Sequence, residues 1–421
     1  MQKTLTDNIE EHAIPLTHEN DLDLLVEKIG NAKIVLLGEA SHGTSEFYQI
    51  RAEISKKLIQ EKGFTIIAVE GDWPSCMEVT RYIKGYDQRY ESAKHALQSF
   101  NRWPTWMWAN EEIADFAEWL KDHNSSLPDR QKTGFYGLDV YSLWESMEEV
   151  VDYLEEIQSP DLELAKKAFT CFEPFNRNNE KYAVASAIYS EGCVEEVTKL
   201  LTQIRRNKEQ YEDGEESGLS LRVNALVMAN AERYYSSMVL NDEQSWNIRD
   251  LHMVEALKEI LDFFGSDSKV IIWEHNTHVG DARATNMIDN GTINVGQVIR
   301  ERNNPDDVYI VGFGTHSGTV IAADEWGVNM EVKDVPPAMP GSWEDMMHRT
   351  GPYNKMLFFN DENRPLFSEI IGHRAIGVVY NPAYERYGNY VPSVMAERYD
   401  AFIHVDRSNA LRPLILQQVR V

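Results

Sequence analysis

The apolar positions of this chain change period twice. In the first third, short unbroken apolar runs alternate with helical patterns. KIVLLG (33–38), FTIIAVE (64–70) and GFYGLDV (134–140) are short, rich in β-branched or aromatic residues and bounded by Gly or charge, which predicts strands. Residues 45–61 and 110–122 carry apolar side chains at helical spacing and predict helices. From about 142 to 265 the period becomes helical throughout, as in Leu143, Met147, Val150, Leu154 or Val197, Leu200, Leu201, Ile204. Strands are then expected again at KVIIWEH (269–275), VYIVGFGTH (308–316), AIGVVYN (375–381) and AFIHVD (401–406), with a Pro-rich loop at KDVPPAMPG (333–341).

This order predicts an α/β protein with a largely parallel sheet flanked by helices, a helical insertion and a small C-terminal α+β element. Residues 1–141 would form the first part of the core and 142–265 the insertion or cap. Residues 266–332 would complete the core, and 333–421 would pack on it.

Composition narrows the function classes. A formal charge of −27 argues against nucleic acid, whose phosphates demand a basic face, and against an anionic membrane surface. The first residues lack a signal-peptide core, and no run approaches the roughly 20 apolar residues that span a bilayer, so a cytoplasmic location is expected. The three cysteines, Cys76, Cys171 and Cys193, form no CxxC pair. An odd number argues against a disulfide framework, suits a reducing compartment and leaves each as a buried hydrophobe.

The candidate chemistry follows the strands. KIVLLG delivers Glu39 and then His42, TIIAV delivers Glu70, and FYGL delivers Asp139. KVIIW delivers Glu274, His275 and His278, and YIVGFG delivers Thr315 and His316. In open α/β sheets ligands bind at the carboxyl ends of the strands, so the fold itself would gather these groups in one cleft. Arg51 falls on the inward stripe of its helix, with Phe47, Ile50, Ile54 and Leu58. A guanidinium there needs a partner, and Glu39 and Glu70 are the candidates. Such a cluster can poise an imidazole near neutral pH as a general base. HxxH at His275 and His278 is a weak metal signal without HExxH, no GxSxG serine elbow is present, and GFGTHSG (312–318) lacks dinucleotide spacing. The aromatic runs RWPTWMW (102–108) and RYYSSM (233–238) suit either a pocket wall or core packing. In WNIRDLHM (246–253), Arg249 and Asp250 are expected at a helix start.

Together GEASHGTSEFYQIR, AVEGDW, WEHNTHVGDARA and WNIRDLHM resemble the erythromycin esterase family, some members of which are labelled succinoglycan biosynthesis proteins. The resemblance runs from about residue 10 to 410. It implies that His42 activates water, accompanied by the acids Glu39 and Glu70, the arginine Arg51 and the histidines His275 and His278. It also implies a metal-independent reaction with no cofactor. Trp103, Trp106, His316 and Arg249 are placed as substrate contacts. The expected activity is hydrolysis of a small-molecule carboxylic ester, a macrolide lactone being one form. The alternatives are a metal-dependent hydrolase using the same His and Glu residues and a non-enzymatic haem- or iron-binding protein.

Overall fold

The computed structural model describes residues 3–189, 192–211 and 214–416. Eleven strands occur among them: β1 Ile14–Pro15, β2 Ile34–Leu37, β3 Ile66–Asp72, β4 Gly134–Asp139, β5 Val270–Trp273, β6 Val308–Ala323, β7 Met330–Val335, β8 Lys355–Phe358, β9 Ile370–Arg374, β10 Tyr390–Val394 and β11 Ala401–Ser408. Nine form one sheet in the order β1-β8-β11-β6-β2-β5-β3-β4, with β7 paired to β6. The block from β11 to β4 is wholly parallel. β8, β1 and β7 are antiparallel additions.

Helices cover both faces of this block, which is why its strands read as continuous apolar runs rather than alternating ones. Along β2, Ile34 and Leu36 enter one core while Val35 and Leu37 enter the other. The second core receives the helices Ser45–Lys62 and Glu111–Asn124. The first core receives the helical stretch 143–264, among whose described residues there is no strand. Its central helix, Ser217–Met238, is buried on nearly every face and packs on Leu143–Glu156, Val194–Arg206 and Asp242–Phe264.

Several expectations need correction. Residues 375–381 form no strand; Ile376 and Val379 make single bridges to Ser41 and Ala323 as this segment crosses the strand ends. β6 runs well past His316 to Ala323, because its second half pairs with β7 as a hairpin. Residues 333–335, placed in the Pro-rich loop, are the end of β7. The stretch after 333 is divided: β8 and β11 belong to the main sheet, and β9 with β10 forms a separate antiparallel pair. Cys171 and Cys193 are joined as a disulfide, and only Cys76 is a free buried thiol. The two are 22 residues apart in sequence, and it is the packing of the helices around them that brings their Cα atoms to 6.0 Å. The cysteines therefore no longer argue for a reducing compartment. Among the described residues no helix is long and apolar enough to cross a membrane.

Candidate active site

β2 lies at the middle of the parallel block, between β5 and β6, and its carboxyl end opens into Gly38–Thr44 before the helix from Ser45. Two glycines let this turn sit where it does. A side chain at Gly38 would strike Asn276 Oδ1, and one at Gly43 would strike the Ile321 carbonyl of β6. Gly43 O accepts the backbone N–H groups of Ile321 (3.0 Å) and Leu411 (2.9 Å). The turn is thus clamped, and it holds Glu39 and His42 against the ends of β3 and β5.

His42 Nδ1 lies 2.8 Å from Glu39 Oε1, and Arg51 donates to Glu39 Oε2 at 2.6 Å. Arg51 is wholly buried, with its guanidinium over the rings of Tyr48 (4.5 Å) and Trp273 (4.7 Å). Its contact with Glu39 is a single point, because Nε and the other terminal nitrogen have no partner. Of the two acids expected to pair with Arg51, it takes only Glu39.

Glu70 is held instead by Arg249, which donates to its Oε1 at 2.7 Å. Arg249 also grips Asp139 through two bonds, at 2.9 and 2.7 Å. The backbone N–H of His275 donates to Glu70 Oε2 at 2.9 Å. Burial alone would raise the Glu70 carboxyl, but its interactions with His278, His42 and Arg249 and the backbone donor reverse this and hold it far below the usual range. Arg249 and Asp250 do not begin a helix. They lie two turns inside Asp242–Phe264, which is capped by Asn241.

The three histidines are differentiated by their bonds. Arginine can only donate, so the 3.1 Å contact from Arg249 to His278 Nε2 makes that atom an acceptor. The His278 proton is therefore on Nδ1, shared between both oxygens of the buried Asp250 at 3.0 Å each. Trp246 stacks on the same ring at 4.6 Å. At His275, Nδ1 lies 2.8 Å from Thr277 Oγ1 and accepts the Thr277 backbone N–H at 3.3 Å. Its Nε2 is buried, and the Ala40 backbone acts on the ring. Burial, reinforced by the neighbouring His42, pushes His275 well below the ordinary imidazole value. His42 moves the other way: burial lowers it, but the Glu70 charge and the Glu39 bond outweigh burial, and the net shift is upward. The His42 and His275 rings are 4.8 Å apart. Glu274, the residue before His275, is buried with neither oxygen bonded, and burial together with the Glu70 and Asp250 charges pushes its carboxyl well up.

A cleft of about 120 Å³ opens above this cluster. Its floor includes His42, Glu70, Asp139 and Arg249, and its walls include Phe100, Met107, Trp326 and Val378. The expected contacts Trp103 and Trp106 are not among its lining. Trp106 is a buried core residue, and Trp103 packs on Trp326 (4.4 Å) at the outer rim, donating to Val328 O. His316 is also outside it, stacked on His348. Asp250 and Trp246, which set the His278 ring, had one legible signal. Trp246, Arg249, Asp250 and Met253 are spaced as an inward helical stripe that carries charge, the pattern that marked Arg51.

Residues 59–408 match the family model described as erythromycin esterase. Over 94% of this chain and 90% of its own length, a Bacillus subtilis (strain 168) protein named as a hydrolase, YbfO, is 22% identical. The erythromycin esterase type II of Escherichia coli is 23% identical over 82% of this chain and 85% of its own. The solved structure of an erythromycin esterase mutant in its open conformation shares the fold, with a TM-score of 0.65 at 14% identity over 95% of this chain and 96% of that one. Membership supports a hydrolase, and the protein belongs to the erythromycin esterase family.

Proposed function

We propose that this protein hydrolyses a carboxylic ester, a macrolide lactone being one candidate, by direct attack of a water molecule activated by His42. The observation that carries the reading is the bonding of His42, the imidazole on the cleft floor, to an anchored carboxylate. Glu39, anchored by Arg51, accepts the Nδ1 proton of His42 and leaves Nε2 as a lone pair. His275, whose ring centroid is 4.8 Å away, is pushed the other way, well below the ordinary imidazole value, by burial and by His42. Adjacent groups whose environments push them apart are a recurrent means of assigning base and donor.

In this reading His42 Nε2 takes a proton from water as the oxygen attacks the ester carbonyl. The developing oxyanion is stabilised by the field of Arg249 on the cleft floor. Glu39 and Glu70 stabilise the imidazolium, which returns the proton to the departing alkoxide. Arg51 lies behind Glu39 and acts only through it. A metal ion at the same cluster is disfavoured by the donors themselves. Both nitrogens of His278 are engaged, one of them by a guanidinium that stands where a cation would sit. The cleft is also small beside ligand pockets of about 300–1,000 Å³. It takes the ester carbonyl and its immediate neighbours, leaving the rest of a large substrate on the rim at Trp103 and Trp326, and it is too small for a porphyrin.

The test is hydrolysis of aryl esters and macrolides by wild type and His42→Ala. A loss of at least about 10²-fold is expected, the usual scale for removing a general base. A folded His42→Ala protein that keeps its rate refutes the assignment.

A further inference from the structure

Away from the cleft, on the sheet face beneath the helix Trp343–Arg349, a second group of ligating side chains meets. His316 of β6 and Asp406 of β11 lie level on neighbouring parallel strands, between the register pairs Val405↔Thr315 and Arg407↔Ser317. His348 reaches them from the helix, its ring parallel to that of His316 with centroids 3.7 Å apart. One ligand atom from each of the three residues falls within 4.8 Å of the other two.

We propose that His316, His348 and Asp406 bind a divalent transition-metal ion of the zinc class at a site independent of the ester-hydrolysing cleft. Two imidazoles and a carboxylate are the donor set such ions take, with a fourth position left for solvent. Here the open side lies at His348, whose side chain is 34% exposed.

A purely structural role explains only part of the arrangement. His348 Nδ1 bonds Asp406 Oδ1 at 2.7 Å, which would pin the helix to the sheet. That leaves His316 buried, face to face with another imidazole, and its Nδ1 without any partner. Asp406 Oδ1 takes two histidine contacts, the first being His348. The second of these contacts, His404 Nε2 at 3.4 Å, comes from the same face of β11 and orients the carboxylate. Ligand atoms around a zinc ion stand about 3.3 Å apart for bonds of about 2.0–2.1 Å, so binding would tilt the two stacked rings out of parallel toward one point. The nearby cations are engaged elsewhere: Lys355 is tied to Met347 O (2.7 Å), Thr350 Oγ1 (2.9 Å) and Gly351 O (2.7 Å), and Arg374 to the Thr315 and His316 carbonyls and to Glu385 (2.8 Å each).

The experiment is equilibrium dialysis of the chelator-stripped full chain against zinc chloride, with cobalt(II) chloride as an optical probe. One ion per chain is expected, with a visible cobalt band. Affinity should fall at least about tenfold in His348→Ala and in Asp406→Asn, and survive in His42→Ala. His348 is half-buried and borders solvent, so its variant should fold, which thermal melting checks; Asp406→Asn provides the same reading independently. Absence of a bound ion in wild type overturns the proposal. So does an ion that is lost in His42→Ala and kept in His348→Ala. Both readouts are binding, so they stand apart from whether any ester is hydrolysed.

Discussion

Replacing Arg51 by Met tests whether the base is held as described. The substitution preserves bulk and removes the only charge on Glu39 Oε2, a carboxylate that is 1% exposed. An unpaired buried charge of this kind costs about 3–5 kcal/mol. The lost stacking of the guanidinium on Tyr48 and Trp273 is worth about 0.5–2 kcal/mol per ring and falls within that range, since a thioether also packs on aromatics. Adding Glu39→Gln removes the stranded charge while keeping an oxygen to accept the His42 proton. The double variant should therefore be more stable than Arg51→Met alone, with a coupling of at least about 2 kcal/mol. Arg51→Lys should recover much of the loss, because the native contact is one bond rather than a bidentate pair. The assay is urea denaturation followed by fluorescence, with slope and midpoint fitted for each variant, and kcat/KM on an aryl ester. Costs that simply add in the double variant, or an Arg51→Met cost below about 1 kcal/mol, would mean that Arg51 and Glu39 are not coupled and that the anchor is elsewhere.

The remaining predictions concern protonation and metal. The upward shift of His42 means that kcat/KM should fall with decreasing pH through an apparent value above the ordinary 6.5; a limb below that value contradicts the Glu70 and Glu39 effects. Glu70 is depressed, so its stabilisation is complete above the ordinary carboxyl range and should drain away as pH falls toward its folded-state value; urea midpoints from neutral to acid pH should show a loss that Glu70→Gln lacks. Glu274 is raised, so wild type bears a growing cost as pH climbs above the unfolded carboxyl value. Glu274→Gln should gain in relative stability with rising pH, and a pH-independent loss would show that the carboxyl is bonded and ionised. Chelation should leave ester hydrolysis intact, and activity restored by one divalent ion would install the metallohydrolase reading instead.

What could be read from the sequence followed from physical simplicity. Strands buried on both faces announce themselves as apolar runs, and β2 through β5 fall within two residues of where the runs place them. The antiparallel additions were invisible for the converse reason. β1 has two residues, and β7 buries only Val335, so neither imposes a pattern. The site was legible wherever a strand end delivered it. Glu39, His42, Glu70, Asp139, His275 and His278 converge because parallel strands share one carboxyl edge. His316 broke that rule because its strand does not end there; β6 continues into a hairpin, and the residue faces the helix Trp343–Arg349.

The pairing of charges was less legible, and the reason bears on how this cluster works. Sequence places Arg51 one helix from both acids, and nothing local chooses between them. The choice is made by Arg249, which comes from a helix more than a hundred residues beyond β4 and takes Glu70 and Asp139 together. With Glu70 so engaged, Glu39 is left to Arg51, and the two carboxylates flanking His42 receive separate cations. That division matters for a general base. One acid, shielded behind the ring, fixes the tautomer, while the other, on the cleft floor with Arg249, sets the charge that water and ester meet. Arg249 belongs to the helical stretch rather than to the sheet, so the field at the base depends on how that stretch is docked. A substitution that loosens its docking, such as Trp246→Ala, should therefore shift the acid limb of kcat/KM while leaving Glu39 and its bond to His42 in place. If the limb stays fixed while the helix melts earlier, the helical stretch serves only as cover, and the charge at His42 is set by the sheet alone.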